Sequence, residues 1–175
     1  MPEAARAGLE RYLDLLASWS ARVNLTGAAS PDTRVALLVG DVLPAVPLLR
    51  PGRLIDVGSG NGSPGLVLAL LRPELAVVLL EPRQRRGAFL REAARAAGRP
   101  DVEVRRERHD QYRGDRGATV TLRGLDLPLV ALAPLVAPGG RVLVFGRPRA
   151  AAAGWRPEAA PEGVQAFRPD VSRET

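Results

Sequence analysis

The 175-residue chain contains no cysteine and no lysine, and His109 is its only histidine. Without cysteine it can form no disulfide and use no thiol nucleophile, and one histidine is too few for an ordinary zinc site, so we expect no metal cofactor. No uncharged apolar run is long enough to cross a membrane. The first residues, MPEAARAGLERYLDLL, carry acids where a signal peptide would be apolar. These absences predict a cytoplasmic protein without membrane or metal partners.

Arginine supplies all 25 cationic residues, which gives a net charge of +6 and a sequence pI near 11.2. Its planar guanidinium matches phosphates and guanine edges, and a basic chain favours a nucleic-acid partner. The abundance of Ala, Gly and Pro leaves the composition of a GC-rich genome open as a second explanation. Five arginines on or just ahead of one predicted helix form either an RNA-facing patch or a solvated helix face: Arg83, Arg85, Arg86, Arg91 and Arg95.

Apolar residues recur at helical spacing near the start of the chain and in short runs further on. The helical spacing predicts an amphipathic helix over 3–22, and Ser30 with Pro31 predicts a second helix that Pro44 and Pro47 end near residue 42. From residue 53 strands and helices alternate, which predicts an α/β fold with a parallel sheet covered on both faces. The strands are predicted at 53–57, 75–81, 102–106, 118–122 and 141–145, and the further helices at 64–71, 83–97 and 126–136.

The length suits one domain with a full hydrophobic core. We divide it into a small N-terminal helical cap (1–50), a cofactor-binding core (51–146) and a C-terminal segment (147–175). The last part is rich in Pro, Ala and Arg, which predicts a loose loop or frayed chain. Within it, only VQAF (164–167) is predicted to add a strand, at the edge of the sheet.

Residues 54–65 read LIDVGSGNGSPG, so a glycine-rich turn directly follows a predicted buried strand. Main-chain amides of such a turn can hold a polar ligand at the carboxyl edge of the sheet. Glu81 ends the second strand, where an acid accepts hydrogen bonds from a ribose. Two cofactors fit this layout. GNGSPG matches the dinucleotide fingerprint G-x-G-x-x-G, which is weak evidence alone. DVGSGNG, with Asp56 ahead of the first glycine, favours S-adenosylmethionine, as does a helical cap preceding the turn.

Several motifs together resemble the bacterial small-subunit ribosomal RNA guanine-N7 methyltransferases, also called glucose-inhibited division protein B. The likeness covers roughly residues 9–146. It implies a class I, Rossmann-like methyltransferase fold, S-adenosyl-L-methionine as cofactor, and small-subunit (16S) ribosomal RNA or the small ribosomal subunit as partner of a monomeric enzyme. The motifs that carry it are LLASWSARVNLTG (15–27), IDVGSGNGSPG (55–65), LLEPRQRRGAFL (79–90), RHD (108–110) and TLRG (121–124).

Carried across by position, the resemblance also implies the site residues. It puts Glu81 near the ribose and Arg123 at the mouth between cofactor and RNA, where Arg123 is the candidate catalytic residue. An ion pair with Asp110 is the alternative role for Arg123. The resemblance also puts Gly58 and Ser63 on the cofactor and His109 and Asp110 beside the adenine. Together with the other residues of the glycine turn, the candidate cofactor contacts are Asp56, Gly58, Ser59, Gly60, Gly62, Ser63, Glu81, His109, Asp110 and Arg123.

The chain departs from the family pattern mostly on the substrate side. Ala118 stands where the family has an aspartate, Phe145 where it has a lysine, and Leu38 where it has a histidine, although Asp41 is retained. The resemblance is therefore stronger for the cofactor turn than for the RNA contacts.

Guanine N7 carries a free lone pair, so its methylation needs alignment rather than a general base. An arginine on O6 or on a phosphate, with a surface on which the base can stack, would suffice. Methylation of pyrimidine C5 is excluded because it uses a cysteine nucleophile. Two alternatives stay open: a methyltransferase of the same fold with another acceptor, and a non-catalytic RNA- or ribosome-binding relative.

Overall fold

The computed structural model describes residues 1–28 and 30–170, which build one seven-stranded sheet. Its strands are β1 Arg53–Val57, β2 Ala76–Leu80, β3 Glu103–Arg105, β4 Gly117–Arg123, β5 Val136–Phe145, β6 Trp155–Glu158 and β7 Val164–Pro169. They lie in the order β3-β2-β1-β4-β5-β7-β6. Strands β1 to β5 pair in parallel, and β7 is antiparallel to both of its neighbours. The order reverses between β1 and β4, which is where open α/β sheets bind their ligands.

Five α-helices in the described part of the chain accompany the sheet, which confirms the predicted α/β class with a mostly parallel sheet. The predicted ends of the first, third and fourth helices are correct to within two residues. Gly98, at φ +85°, follows the fourth helix, in the left-handed conformation that favours glycine after a helix end. The helices are α1 Glu3–Ser20, α2 Pro31–Val35, α3 Gly65–Leu71, α4 Gln84–Ala96 and α5 Leu129–Leu132. No helix in the described ranges is long and apolar enough to cross a membrane.

Alternate residues of β1 enter two separate hydrophobic cores. Leu54 joins the larger core, which α1, α3 and α4 cover, whereas Ile55 joins the core on the opposite face. The second face is covered more thinly, by α5 and by large side chains that include Tyr112 and Trp155. Trp155 is 6% exposed, so it anchors the C-terminal segment and is not free to stack on a base.

The second helix and the helix after β4 differ from the prediction. Ser30 accepts a hydrogen bond from the Thr33 amide as the predicted N-cap, but α2 passes into a π-helix over Ala36–Gly40. Instead of ending a helix, Pro44 lies in the first turn of a 3₁₀ helix, Leu43–Leu48, where its missing amide is not needed, and Pro47 lies further inside the same helix. Only a short α5 and a 3₁₀ turn, Ala133–Leu135, replace the helix predicted over 126–136.

The C-terminal segment was predicted to be loose; residues 147–154 contain no helix or strand, but the described chain after them forms two strands, so there the prediction is wrong. Residues Trp155–Glu158 form β6 at the sheet edge, and β7 lies between β5 and β6 rather than at the edge. Local composition misled the prediction, because pairing with β5 supplies the hydrogen bonds that order this chain. The remainder of the predicted segment, 171–175, lies outside the described residues.

Candidate functional site

A cavity of about 280 Å³ opens at the carboxyl edge of the sheet, beside the point where the strand order reverses. Its lining comes from four segments at or beyond the ends of neighbouring strands, together with Arg86 from α4: 57–58 for β1, 80–83 for β2, 107–109 for β3 and 125–127 for β4. We call it the β1–β2 cavity. The lining mixes carboxylates, guanidinium groups and aliphatic side chains, so the cavity suits a ligand with both polar and apolar parts.

The glycine-rich turn after β1 holds a shape that only glycine adopts readily. Gly58, Gly60 and Gly62 have φ values of +68°, +50° and +97°. The amides of Gly58 and Ser59 both donate to the carbonyl of Leu80, at 2.8 and 3.0 Å, which fastens the turn to the end of β2. The predicted glycine turn therefore forms, and its first residue lines the β1–β2 cavity.

Glu81 fastens the same turn with its side chain. The residue is 3% exposed, and its two carboxylate oxygens accept hydrogen bonds from the amides of Gly60 (3.0 Å) and Arg83 (2.9 Å). Each oxygen has a second lone pair, so the carboxylate can still accept a hydroxyl donor from the cavity that it lines. Glu81 thus combines a structural role with a free acceptor face.

Asp56 lies beneath the turn and outside the cavity lining. Its carboxylate is buried and accepts a 2.6 Å hydrogen bond from the Thr121 hydroxyl. Burial raises the pKa of Asp56 from 3.8 to about 6, although the hydrogen bond from Thr121 lowers it. A Cβ on Gly65 would lie 2.6 Å from Asp56 Oδ2, so glycine at 65 is what lets α3 begin directly above this acid.

The second half of the glycine turn faces the N-terminal helices and not the cavity. A Cβ on Gly62 would meet Tyr12 at 3.3 Å, and the Tyr12 hydroxyl donates to the carbonyl of Asn61 at 2.9 Å. The Ser63 hydroxyl donates to the carbonyl of Leu38 at 2.8 Å, and no side chain caps the start of α3. These contacts clamp the turn from behind.

Arg123 ends β4 and reaches toward the N-terminal cap. Its guanidinium donates to Asp41 Oδ2 at 2.8 Å and to the Ser63 hydroxyl at 3.2 Å. The alternative ion pair with Asp110 is wrong, because Asp110 pairs with Arg108 at 3.4 Å. Arg123 is therefore a junction between the cap, the glycine turn and β4.

The structure brings three of the predicted cofactor residues to the cavity wall, namely Gly58, Glu81 and His109. The other predicted residues lie behind or beside that wall. One group supports the glycine turn from below and behind, whereas Asp110 is exposed next to His109 and Arg123 lines a neighbouring cavity. The supporting group is Asp56, Ser59, Gly60, Gly62 and Ser63.

Sequence reasoning missed the loop after β4, which forms the remaining wall. A Cβ on Gly58 would collide with Leu125 Cδ1, so the Leu125 side chain covers the start of the glycine turn. The signal was available, because residues 125–127 directly follow TLRG, which was predicted to end a strand. What holds this loop was not readable from sequence: the Arg149 guanidinium donates to the carbonyls of Leu125 and Leu127.

Arg149 is itself held by β7. The amide of Arg149 donates to Gln165 Oε1 at 2.7 Å, and Gln165 Nε2 donates back to the carbonyl of Arg149 at 2.9 Å. The C-terminal strand therefore reaches the cavity wall through two residues, Gln165 and Arg149. We call this pair the C-terminal clasp.

The family model of GidB, described as rRNA small subunit methyltransferase G, matches residues 5–149. That range is most of the chain. The protein belongs to the GidB family. The matched range includes most of α1, the glycine turn, Glu81, Arg123 and the whole lining of the β1–β2 cavity.

Curated relatives agree with the GidB assignment. The chain is 41% identical over 115 residues to "Ribosomal RNA small subunit methyltransferase G" of Nitrosospira multiformis, an alignment that covers 66% of this chain and 53% of that protein. It is 36% identical over 162 residues to the protein of the same name from Xanthomonas campestris pv. campestris, covering 86% and 76%. Against several of these relatives the aligned part spans about half of their length.

The fold of this GidB family member also matches solved methyltransferases. A SAM-dependent methyltransferase from Geobacter sulfurreducens, in complex with S-adenosyl-L-homocysteine, superimposes with a TM-score of 0.52 at 19% identity, covering 82% of this chain and 55% of that one. At this identity the likeness concerns the fold, which is the class I, Rossmann-like methyltransferase fold predicted from the sequence.

Proposed function

We propose that this GidB family member transfers a methyl group from S-adenosyl-L-methionine to N7 of a guanine in small-subunit ribosomal RNA. The observation that carries the proposal is the β1–β2 cavity, with the glycine turn on one side and the free acceptor face of Glu81 on the other. The family match and the names of the curated relatives support the same activity. A ribosomal substrate makes the cytoplasm the proposed place of action.

The residues of the cavity fit the cofactor. Gly58 and the Leu125 side chain that packs on it form the wall beside which the methionine part would lie, and Glu81 offers carboxylate lone pairs to the ribose hydroxyls. His109 belongs to segment 107–109, which lines the part of the cavity in which we place the adenine. Asp56, Ser59, Gly60, Gly62 and Ser63 contribute by keeping the turn in shape.

When bound, S-adenosylmethionine supplies a methyl group on a sulfonium; the N7 lone pair forms the new carbon–nitrogen bond, and the electrons of the broken carbon–sulfur bond stay on sulfur. No proton moves in this reaction, so the protein needs no general base. The task of the chain is alignment of the acceptor. Arg123, held by Asp41 and Ser63 at the end of β4, is placed to hold the guanine O6 or a phosphate.

The RNA would approach over a surface rich in arginine. Arg85, Arg91 and Arg95 of α4 are exposed, and Arg86 donates to the Asn24 carbonyl at 3.0 Å beside the cavity. Contacts from these arginines to phosphates would be independent of sequence and sensitive to salt. Because such contacts do not distinguish one base from another, the choice of one guanine must come from the residues around the β1–β2 cavity and Arg123.

Two measurements test the proposal. Calorimetric titration with S-adenosylhomocysteine should give micromolar binding that is lost in Gly60→Arg, whose side chain would fill the turn. Incubation of undermethylated small ribosomal subunits with S-adenosylmethionine should then produce 7-methylguanosine in the digested RNA.

In Arg123→Ala the methyl transfer should fall far more than cofactor affinity. If the protein binds the cofactor but methylates an atom other than guanine N7, the proposed acceptor is wrong. If it binds RNA in a salt-sensitive way but does not bind the cofactor, it is a non-catalytic RNA-binding relative.

A further inference from the structure

A group of arginines lies at the amino edge of the sheet, which is the edge opposite to the β1–β2 cavity. The last antiparallel pair of β5 and β7 toward this edge is Val142 with Phe167. The next residues along the two strands, Arg141 and Arg168, therefore lie side by side. Both side chains leave the sheet on the face of the larger core, because Leu143, two residues along β5, belongs to that core.

Arg50, which precedes β1, brings a third guanidinium to this edge. Its amide donates to Thr119 Oγ1 at 3.1 Å, and Thr119 pairs with Arg141 in the sheet. Arg141 Nη1 in turn donates to the carbonyl of Leu48 at 3.1 Å. These two hydrogen bonds hold Arg50 next to Arg141. We call Arg50, Arg141 and Arg168 the arginine cluster.

Glu158, at the end of β6, supplies the arginine cluster with one carboxylate. That carboxylate lies 3.2 Å from Arg141 Nε and also pairs with the Arg168 guanidinium. The Arg50 guanidinium makes no ion pair or hydrogen bond within residues 1–28 and 30–170. The described part of the chain thus gives the cluster three positive charges and one negative charge.

The arginine cluster is buried enough that water screens its charges poorly. The Arg141 side chain is 12% exposed and that of Glu158 is 19% exposed. Burial lowers the pKa of Arg141; Glu158 raises it, and the like charges of Arg50 and Arg168 lower it. The Nε atoms of all three arginines are buried and make no hydrogen bond within the described ranges. Like charges held together in this way are stabilised by an anion that contacts several of them.

We propose that the arginine cluster binds a phosphate group. A guanidinium presents its donors in a planar fork that matches two phosphate oxygens, so neighbouring arginines can share one phosphate. The Arg168 side chain is 38% exposed, which leaves the cluster open to solvent on that side. The phosphate belongs to an RNA backbone or is a free ion, and both present the same oxygens. In either case the site lies apart from the proposed methyl transfer and does not depend on the cofactor.

The test removes the arginine of the cluster that Glu158 does not hold. Arg50→Gln keeps the backbone hydrogen bond to Thr119 and both ion pairs of Glu158. Arg116→Gln is the matched control with the same net charge, because Arg116 is exposed just ahead of β4 and lies outside the cluster. One probe is inorganic phosphate, followed by thermal unfolding against chloride at equal ionic strength. The other is a short fluorescent single-stranded RNA, followed by anisotropy at several salt concentrations.

In the parent and in Arg116→Gln, phosphate at about ten times its Kd should raise the Tm by about 3 °C, and Arg50→Gln should lose most of this shift. If the bound phosphate belongs to RNA, Arg50→Gln should also reduce the salt slope of RNA binding by roughly 0.7. A difference between the two variants in the phosphate assay alone assigns the site to the free ion, and one in the RNA assay alone assigns it to RNA. Agreement of the two variants in both assays would overturn the site. Neither assay uses S-adenosylmethionine, so this result is separate from that of the proposed function.

Discussion

The Arg123 guanidinium lies 2.8 Å from the Asp41 carboxylate and so joins the end of β4 to the N-terminal cap. Asp41 directly follows the π-helix, whose Leu38 carbonyl accepts the Ser63 hydroxyl. Irregular helical turns of this kind are often found at functional sites. The cap therefore contributes to the site by orienting Arg123, in addition to covering the core.

Asp41→Asn should lower the rate of methyl transfer about tenfold, because Arg123 loses the charge that orients it. The pair is partly exposed, so the free energy of unfolding should change by less than about 1 kcal/mol. Measurement of kcat together with calorimetric titration of S-adenosylhomocysteine checks this. Cofactor affinity should stay within about twofold, and the exposed Asp14→Asn should leave both quantities unchanged. If Asp41→Asn keeps the kcat of the parent protein, the ion pair with Asp41 is not needed to orient Arg123.

Glu81→Gln should weaken S-adenosylhomocysteine binding at least about tenfold. The amide has one acceptor oxygen in place of two, so the amide of Gly60 or of Arg83 loses its partner. A lost hydrogen bond to a buried charged group also costs about 1–3 kcal/mol of folding free energy. Urea unfolding and calorimetry measure the two effects. Glu92→Gln on the exposed side of α4 is the matched control, and similar behaviour of both variants would contradict the role given to Glu81.

Asp56 should make stability depend on pH in the acidic range. Its pKa in the folded protein is about 6, above the ordinary 3.8, so between these values the folded state holds a proton that the unfolded state has released. The contribution of Asp56 is thus fully present below pH 3.8 and is lost as pH rises through 6, on the order of 3 kcal/mol in total. Urea unfolding from pH 4 to 7.5 should show the parent losing stability relative to Asp56→Asn up to about pH 6, with a constant difference above. A constant difference throughout would show that Asp56 keeps its ordinary pKa.

Release of the C-terminal clasp should weaken cofactor binding. Arg149→Ala frees the carbonyls of Leu125 and Leu127, and Gln165→Ala frees Arg149 from β7, so the loop after β4 would no longer hold its wall of the β1–β2 cavity. We expect S-adenosylhomocysteine affinity to fall about tenfold for Arg149→Ala and less for Gln165→Ala. The exposed Arg156→Ala on β6 is the control. If all three variants bind equally well, the loop keeps its position without the clasp.

The parts of the fold that follow from local patterns could be predicted. The alternation of strands and helices, the glycine turn and the acid at the end of β2 are each written in a few adjacent residues, because strand burial, positive φ and helix starts are local demands on the chain. The family resemblance rested on the same motifs, and the family match covers them.

What the sequence alone determined about this protein is its α/β class, the turn that shapes the β1–β2 cavity, and its family. Tertiary structure decided the rest. Gln165 reaches Arg149, Arg149 reaches Leu125, and Arg123 reaches Asp41 across 82 residues of chain, and no spacing rule relates such distant positions. The C-terminal strands depend on distant positions in the same way. Their composition indicates a loose chain, but pairing with β5 supplies the hydrogen bonds that order them.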